Sequence, residues 1–163
     1  INDPLAYAKP MVDAGADMLT FHVEAVRDPV ETAGKLKDLG VGVGIALNPE
    51  TPLASLGEAI SMVDMALVMS VEAGFGGQAF NPIALEKLRS LRQDYPDLLL
   101  EIDGGIDVDT ISLARAAGCD LFVVGSAIFR QTSYLAAIAD LNAGIQAAKD
   151  NDSPLRWDQE DHS

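Results

Sequence analysis

An α/β fold with a parallel sheet is what the sequence predicts, and three observations predict it. The first is regular alternation: short apolar segments trade places with helical ones along the whole chain, which puts crossover helices between parallel strands. A barrel and an open doubly wound sheet both fit that alternation. The second observation is that no Gly-x-Gly-x-x-Gly joins a first strand to a helix, so the dinucleotide fingerprint of the open sheet is missing. The third is the gathering of polar residues at the C-terminal ends of different strands: His22, Asn48, Ser70, Asp103 and Ser126. A (β/α)8 barrel carries its active site at that end. The expected fold is therefore of the TIM-barrel family. With 163 residues it is expected to be an incomplete barrel of about five parallel strands and flanking helices, because a full barrel has eight.

Each element has its own signal. A helix is expected over residues 4–14, stopped by Gly15, then a strand over 18–24. Residues 29–39 read as a helix ending at Gly40, and 41–47, apolar and rich in Val and Ile, as a buried strand. Thr51-Pro52 opens a short helix to about residue 62, with proline in the first turn. A strand over 64–71 leads into the loop Gly74-Phe75-Gly76-Gly77. The helix over 82–93 carries Ile83, Leu85, Leu88 and Leu91 at helical spacing. A strand over 98–102 ends in Asp103-Gly104-Gly105, a helix over 109–117 stops at Gly118, and a strand over 121–124 ends in Gly125-Ser126. The last helix covers 133–149. The joint Ala14-Gly15-Ala16-Asp17 returns as Ala117-Gly118-Cys119-Asp120, a repeat whose glycine suits a helix end at positive φ. Residues 1–149 read as one domain and 150–163 as an acidic disordered tail, in which Trp157 and His162 take no role.

Composition narrows the function. The 48% apolar content excludes a disordered chain, and no uncharged apolar run is long enough to span a membrane. Cys119 is the single cysteine, so no internal disulfide forms, and it reads as packed, not reactive. No basic segment followed by an apolar one opens the chain, and a cytoplasmic location is expected. The chain begins with Ile1, which points to a missing beginning. Acids outnumber Lys and Arg by 25 to 11, for a net charge of −14, which argues against a nucleic-acid partner. An anionic ligand must then be held by local donors and not by a global field.

Strand alternation sets the candidate chemistry. Thr20, His22 and Glu24 share one face of the first strand, opposite Leu19, Phe21 and Val23. His22 is either a satisfied core histidine or an inward group at the rim. Leu99, Glu101 and Asp103 share a face of the fourth strand, so Asp103 is either a turn cap or a rim carboxylate. A carboxylate and an imidazole at one rim can ligate a divalent metal or act as acid and base. Gly74 to Gly77, Gly104-Gly105 and Gly125-Ser126 each follow a strand. They are either ordinary tight turns or places where backbone N–H groups approach an anion, with a short helix opening at Ser126. Met65, Leu67 and Met69 share a face, and Met69 can wall a bound substrate.

Five segments carry a family resemblance, in order and at matching spacing. Thr20-Phe21-His22-Val23-Glu24-Ala25, Leu47-Asn48-Pro49-Glu50-Thr51-Pro52, Met69-Ser70-Val71-Glu72-Ala73-Gly74-Phe75-Gly76-Gly77-Gln78, Asp103-Gly104-Gly105-Ile106 and Gly125-Ser126-Ala127-Ile128-Phe129 resemble ribulose-phosphate 3-epimerase. The resemblance implies a (β/α)8 barrel that interconverts D-ribulose 5-phosphate and D-xylulose 5-phosphate. In that chemistry one Asp removes the C3 proton, a second Asp reprotonates from the opposite face, and one divalent metal (Zn, Fe or Mn) stabilises the enediolate. It implies His22 and Asp103 as metal ligands and Asp103 as an acid/base carboxylate. It also implies His22, Met69, Gly74, Phe75, Gly76, Gly77, Asp103, Gly104, Gly105, Gly125 and Ser126 as substrate and phosphate contacts. The family's first three strands, with a Ser, a second metal-binding His and the other catalytic Asp, have no counterpart here, and Ala73 stands where the family often has Pro. The isolated chain is accordingly expected to turn over little substrate and to oligomerise, aggregate or be partly molten. The complete protein is expected to be a homo-oligomer without nucleic-acid or membrane partners. The alternatives are an allulose-6-phosphate 3-epimerase or other phosphosugar barrel enzyme, and a non-catalytic phosphate-binding remnant.

Overall fold

The computed structural model describes residues 1–72, 74 and 78–151. Phe75, Gly76 and Gly77 of the expected phosphate loop, and the chain from residue 152 on, lie outside the described residues. Helix α1 (Pro4–Asp13) starts where Asp3 Oδ1 accepts the Ala6 N–H at 3.2 Å, with proline in its first turn. Helix α2 (Pro29–Lys37) repeats the device with Asp28 and the Glu31 N–H at 2.9 Å, and ends with Lys35 and Lys37 against its negative pole. The strands are β1 (Met18–His22), β2 (Gly42–Leu47), β3 (Met65–Met69), β4 (Leu99–Asp103) and β5 (Leu121–Val123). Between and after them lie α3 (Ile83–Asp94), α4 (Thr110–Ala116), α5 (Ser126–Phe129) and α6 (Tyr134–Asn151). Helix α6 thus continues two residues past the expected end of the domain.

All pairings are parallel, and the strand order is β1-β2-β3-β4-β5. Strand order equal to chain order is the winding of a barrel wall. A doubly wound sheet reverses direction at a switch point, and this one does not. One face packs on the helices. Phe21, Ile45, Leu47, Val68, Leu100 and Ile102 meet Leu36, Leu56, Leu88, Leu91 and Ile111 in a single buried cluster. The opposite face carries Thr20, His22, Leu67, Glu101 and Asp103, so the alternation expected from the sequence holds in β1 and β4.

The third strand ends at Met69, two residues short of its expected end, and two further segments differ in kind. The first strand stops at His22, and Val23–Ala25 form a 3₁₀ turn. Val23 drops into the core while the Glu24 carboxylate reaches across to the Asn48 N–H and the Thr51 hydroxyl, which bends the chain out of the strand. Glu24 therefore lies beyond the end of the strand, while its carboxylate still meets His22. The segment after β2 is 3₁₀ over Leu53–Ser61, not an α-helix, because Gly57 breaks it at φ +51°. The repeated joints behave as read: Gly15 and Gly118 have φ of +103° and +95° at the ends of α1 and α4.

Candidate active site

The rim is built on the C-terminal ends of β3, β4 and β5. Met69, Asp103 and Val123 lie in register across these strands. Ser70, fully buried, anchors the turn after β4. Its N–H donates to the Asp103 carbonyl at 2.8 Å. Its Oγ reaches the same carbonyl at 3.0 Å and the Gly104 carbonyl as well. The turn is tight enough to demand glycine. A Cβ on Gly104 (φ +114°) would lie 2.5 Å from Val71 Cγ2, and one on Gly105 (φ +59°) 2.9 Å from the Phe80 N atom.

Asp103 is half-buried, and burial pushes its carboxyl above the usual range, only partly offset by the Gly104 N–H. Glu101, one step back on the same face, is raised by burial and then by the Asp103 charge. Two carboxylates that resist ionisation beside each other are suited to carrying a proton. In front of Asp103 opens a cleft of about 210 Å³ whose walls include Gly104, Gly105, Gly125, Ser126 and Arg130. A second cleft of about 250 Å³ adjoins it, sharing Gln78, Gly105, Ile106, Ser126 and Arg130 and adding Asp107 and Thr110. Gly74 is exposed and lines neither cleft, and buried Met69 lies beside Asp103 without lining them.

His22 stands apart from this cleft. It lines a groove of about 480 Å³ between α1 and the β1 edge, together with Glu24 and Asn48. Its Nδ1 is 3.3 Å from Glu24 Oε2. Burial works to raise the Glu24 carboxyl, but the Asn48 N–H, the Thr51 hydroxyl and His22 outweigh it and hold it below the usual range. Lys87 secures that loop from beneath, its Nζ donating to the carbonyls of Asn48 (2.9 Å), Pro49 (2.6 Å) and Thr51 (2.6 Å). Asn48 Oδ1 is buried without a partner among the described residues. Strands β2 and β3 separate His22 from Asp103. Among the described residues no three His, Cys, Asp or Glu side chains come together as a metal site. The donors present therefore do not by themselves fit a closed divalent-metal shell.

The sequence reading missed Lys87, the fold-back of Glu24 and Arg130. Lys87 shows only as a polar break in an apolar helical stripe, and the other two depend on contacts that no local pattern encodes. Cys119 is buried as read, and burial pushes its thiol up to about 12, which leaves it unreactive.

The Ribulose-phosphate 3 epimerase family model matches residues 1–129. The chain belongs to the ribulose-phosphate 3-epimerase family. Curated relatives agree. The chain is 45% identical over 145 residues to "Ribulose-phosphate 3-epimerase" of Mycobacterium leprae, covering 86% of this chain and 65% of the relative. It is 44% identical to the Mycobacterium bovis protein of the same name, covering 91% and 66%. The cytoplasmic isoform of Oryza sativa is 39% identical, covering 91% and 67%. The chain thus spans just under two thirds of the length of the two mycobacterial relatives. Among solved structures, 3-hexulose-6-phosphate synthase from Salmonella typhimurium superposes with a TM-score of 0.69 at 20% identity, covering 91% of this chain and 71% of that one. KGPDC from Streptococcus mutans gives 0.71 at 18%, covering 90% and 70%. At these identities the likeness speaks to the fold alone, which is of the TIM-barrel type.

Proposed function

We propose that this chain serves the interconversion of D-ribulose 5-phosphate and D-xylulose 5-phosphate, with Asp103 as the carboxylate that moves the C3 proton. The observation that carries the reading is Asp103 at the end of β4, facing a cleft that also bears Gly104-Gly105 and Gly125-Ser126. Backbone N–H groups exposed by the glycines hold the phosphate, and Asp103 takes the proton alpha to the carbonyl. Burial of Asp103 raises its basicity. Inversion needs a second group on the opposite face of the substrate. Glu101 cannot supply it, because it projects from the same face of the same strand as Asp103.

Family membership brings the expectation of a divalent metal, with His22 and Asp103 as donors. The described residues offer no cluster of three ligands, so no step is derived through it. No helix among the described residues is long and apolar enough to cross a membrane. The cytoplasm is the proposed location, supported by the name of the rice relative.

Proton NMR of ribulose 5-phosphate with the purified chain in D2O tests the reading. The chain is expected to exchange the C3 hydrogen faster than it forms xylulose 5-phosphate, and Asp103→Asn to abolish the exchange. Exchange that survives Asp103→Asn removes Asp103 from the role. Epimerisation as fast as exchange contradicts a single-carboxylate site.

A further inference from the structure

We propose that Arg130 is a side-chain ligand for the substrate's phosphate group, and so a specificity-determining residue of the site under Proposed function, on which this inference rests. The sequence reading assigned anion binding to backbone amides without Lys or Arg. The structure adds a guanidinium. Arg130 lines both clefts at the rim, beside Gly105 and Ser126. Its own N–H donates to the Ser126 carbonyl at 3.2 Å, so its side chain departs from a point one turn beyond Gly125-Ser126.

Its guanidinium is available to a ligand. Arg92 and Arg115 both engage Asp120, whereas Arg27 and Arg89, like Arg130, form no ion pair among the described residues, so what sets Arg130 apart is its place on both clefts. Among the described residues the Arg130 guanidinium has neither an ion pair nor a hydrogen bond, although Asp103 and Asp107 line the same clefts. The Asp107 carboxylate is already engaged: its Oδ1 accepts the N–H groups of Asp109 (3.0 Å) and Thr110 (2.9 Å) and the Thr110 hydroxyl (3.0 Å).

The placement also has a direction. Asp103 lines only the inner cleft, while Arg130 spans both. A phosphate monoester seated at Arg130 points its carbon chain toward Asp103. The reverse orientation sets a dianion against Asp103 and Glu101. Arginine suits the task because its planar fork can hold two phosphate oxygens at once, leaving the third to backbone N–H groups.

Isothermal titration of the 163-residue chain, using ribulose 5-phosphate, inorganic phosphate and unphosphorylated ribulose, tests this. Arg130→Gln is expected to weaken both phosphate compounds about tenfold or more, Arg130→Lys to recover part of the loss, and ribulose to be unaffected. The unliganded melting temperature of both variants should match that of the unsubstituted chain. Equal phosphate affinity in Arg130→Gln, an equal loss for ribulose, or no phosphate binding by the unsubstituted chain overturns the proposal. If Arg130→Gln weakens phosphate but ribulose 5-phosphate binds no tighter than phosphate, Arg130 stands and the pentulose reading fails. If ribulose 5-phosphate binds well and Arg130→Gln changes nothing, the reverse holds.

Discussion

Asp103 and Glu101 place two acids on one face of one strand, and each is harder to ionise in the fold than in the unfolded chain. An acid whose folded pKa is raised binds more protons folded than unfolded. Its ionisation therefore opposes the fold, fully so above the folded pKa, and the penalty fades as pH falls toward the ordinary value of 4.5 for Glu. Glu101→Gln is accordingly expected to raise the melting temperature at pH 7 to 8 and to leave it unchanged near pH 4. A gain that persists at pH 4 places the effect in packing instead. Asp103 was legible in the sequence because alternation fixes the face and Gly104-Gly105 marks the rim, both local signals. Glu24 was legible as a residue and not as an arrangement. Its partners Asn48 and Thr51 lie on another crossover, and their pull on its carboxylate ends the strand early.

At the level of elements, an acid at the foot of one strand tethers its neighbour. In the Gly118-Cys119-Asp120 joint, Asp120 Oδ2 accepts the Leu100 N–H at 3.1 Å, and Asp64, which enters β3 without a preceding glycine, accepts the Val43 N–H on Oδ2 at 2.8 Å. Arg92 completes the α4–β5 joint by donating to the carbonyls of Gly118, Pro96 and Leu98 and pairing with Asp120. Arg92→Met leaves part-buried carbonyls without donors and is expected to cost about 1–3 kcal/mol in urea unfolding. An unchanged midpoint shows that water replaces the guanidinium. The glycine of the joint was readable as a helix stop. Arg92 was not, because its acceptors belong to turns reached only after the chain has folded. The 3₁₀ form of residues 53–61 escaped for a related reason: an apolar run with a proline at its head predicts a helix, and one glycine at positive φ breaks it.

For the molecule as a whole, strand order and alternation were legible because each crossover is local. The described sheet leaves β1 and β5 as open edges, with Met18, Leu121 and Val123 about 40% exposed on them. Phe129, Leu135 and Ile138 add exposed apolar surface on α5 and α6. The chain is expected to self-associate, with a weight-average mass in sedimentation that rises with concentration. Leu121→Lys with Val123→Lys should reduce that rise by placing charge on the β5 edge. A monomer at every concentration contradicts this.

Ser70 also has a consequence for how such a site can change. The Asn81 N–H donates to the Ser70 carbonyl at 2.8 Å, so the loop that leaves β3 returns to the residue from which it departed. The two ends of that loop also press on the turn after β4: Val71 and Phe80 stand where a Cβ on Gly104 or Gly105 would go. Recoding either end is therefore felt at the carboxylate that closes β4, and substrate preference and upkeep of the proton-moving centre are inherited together.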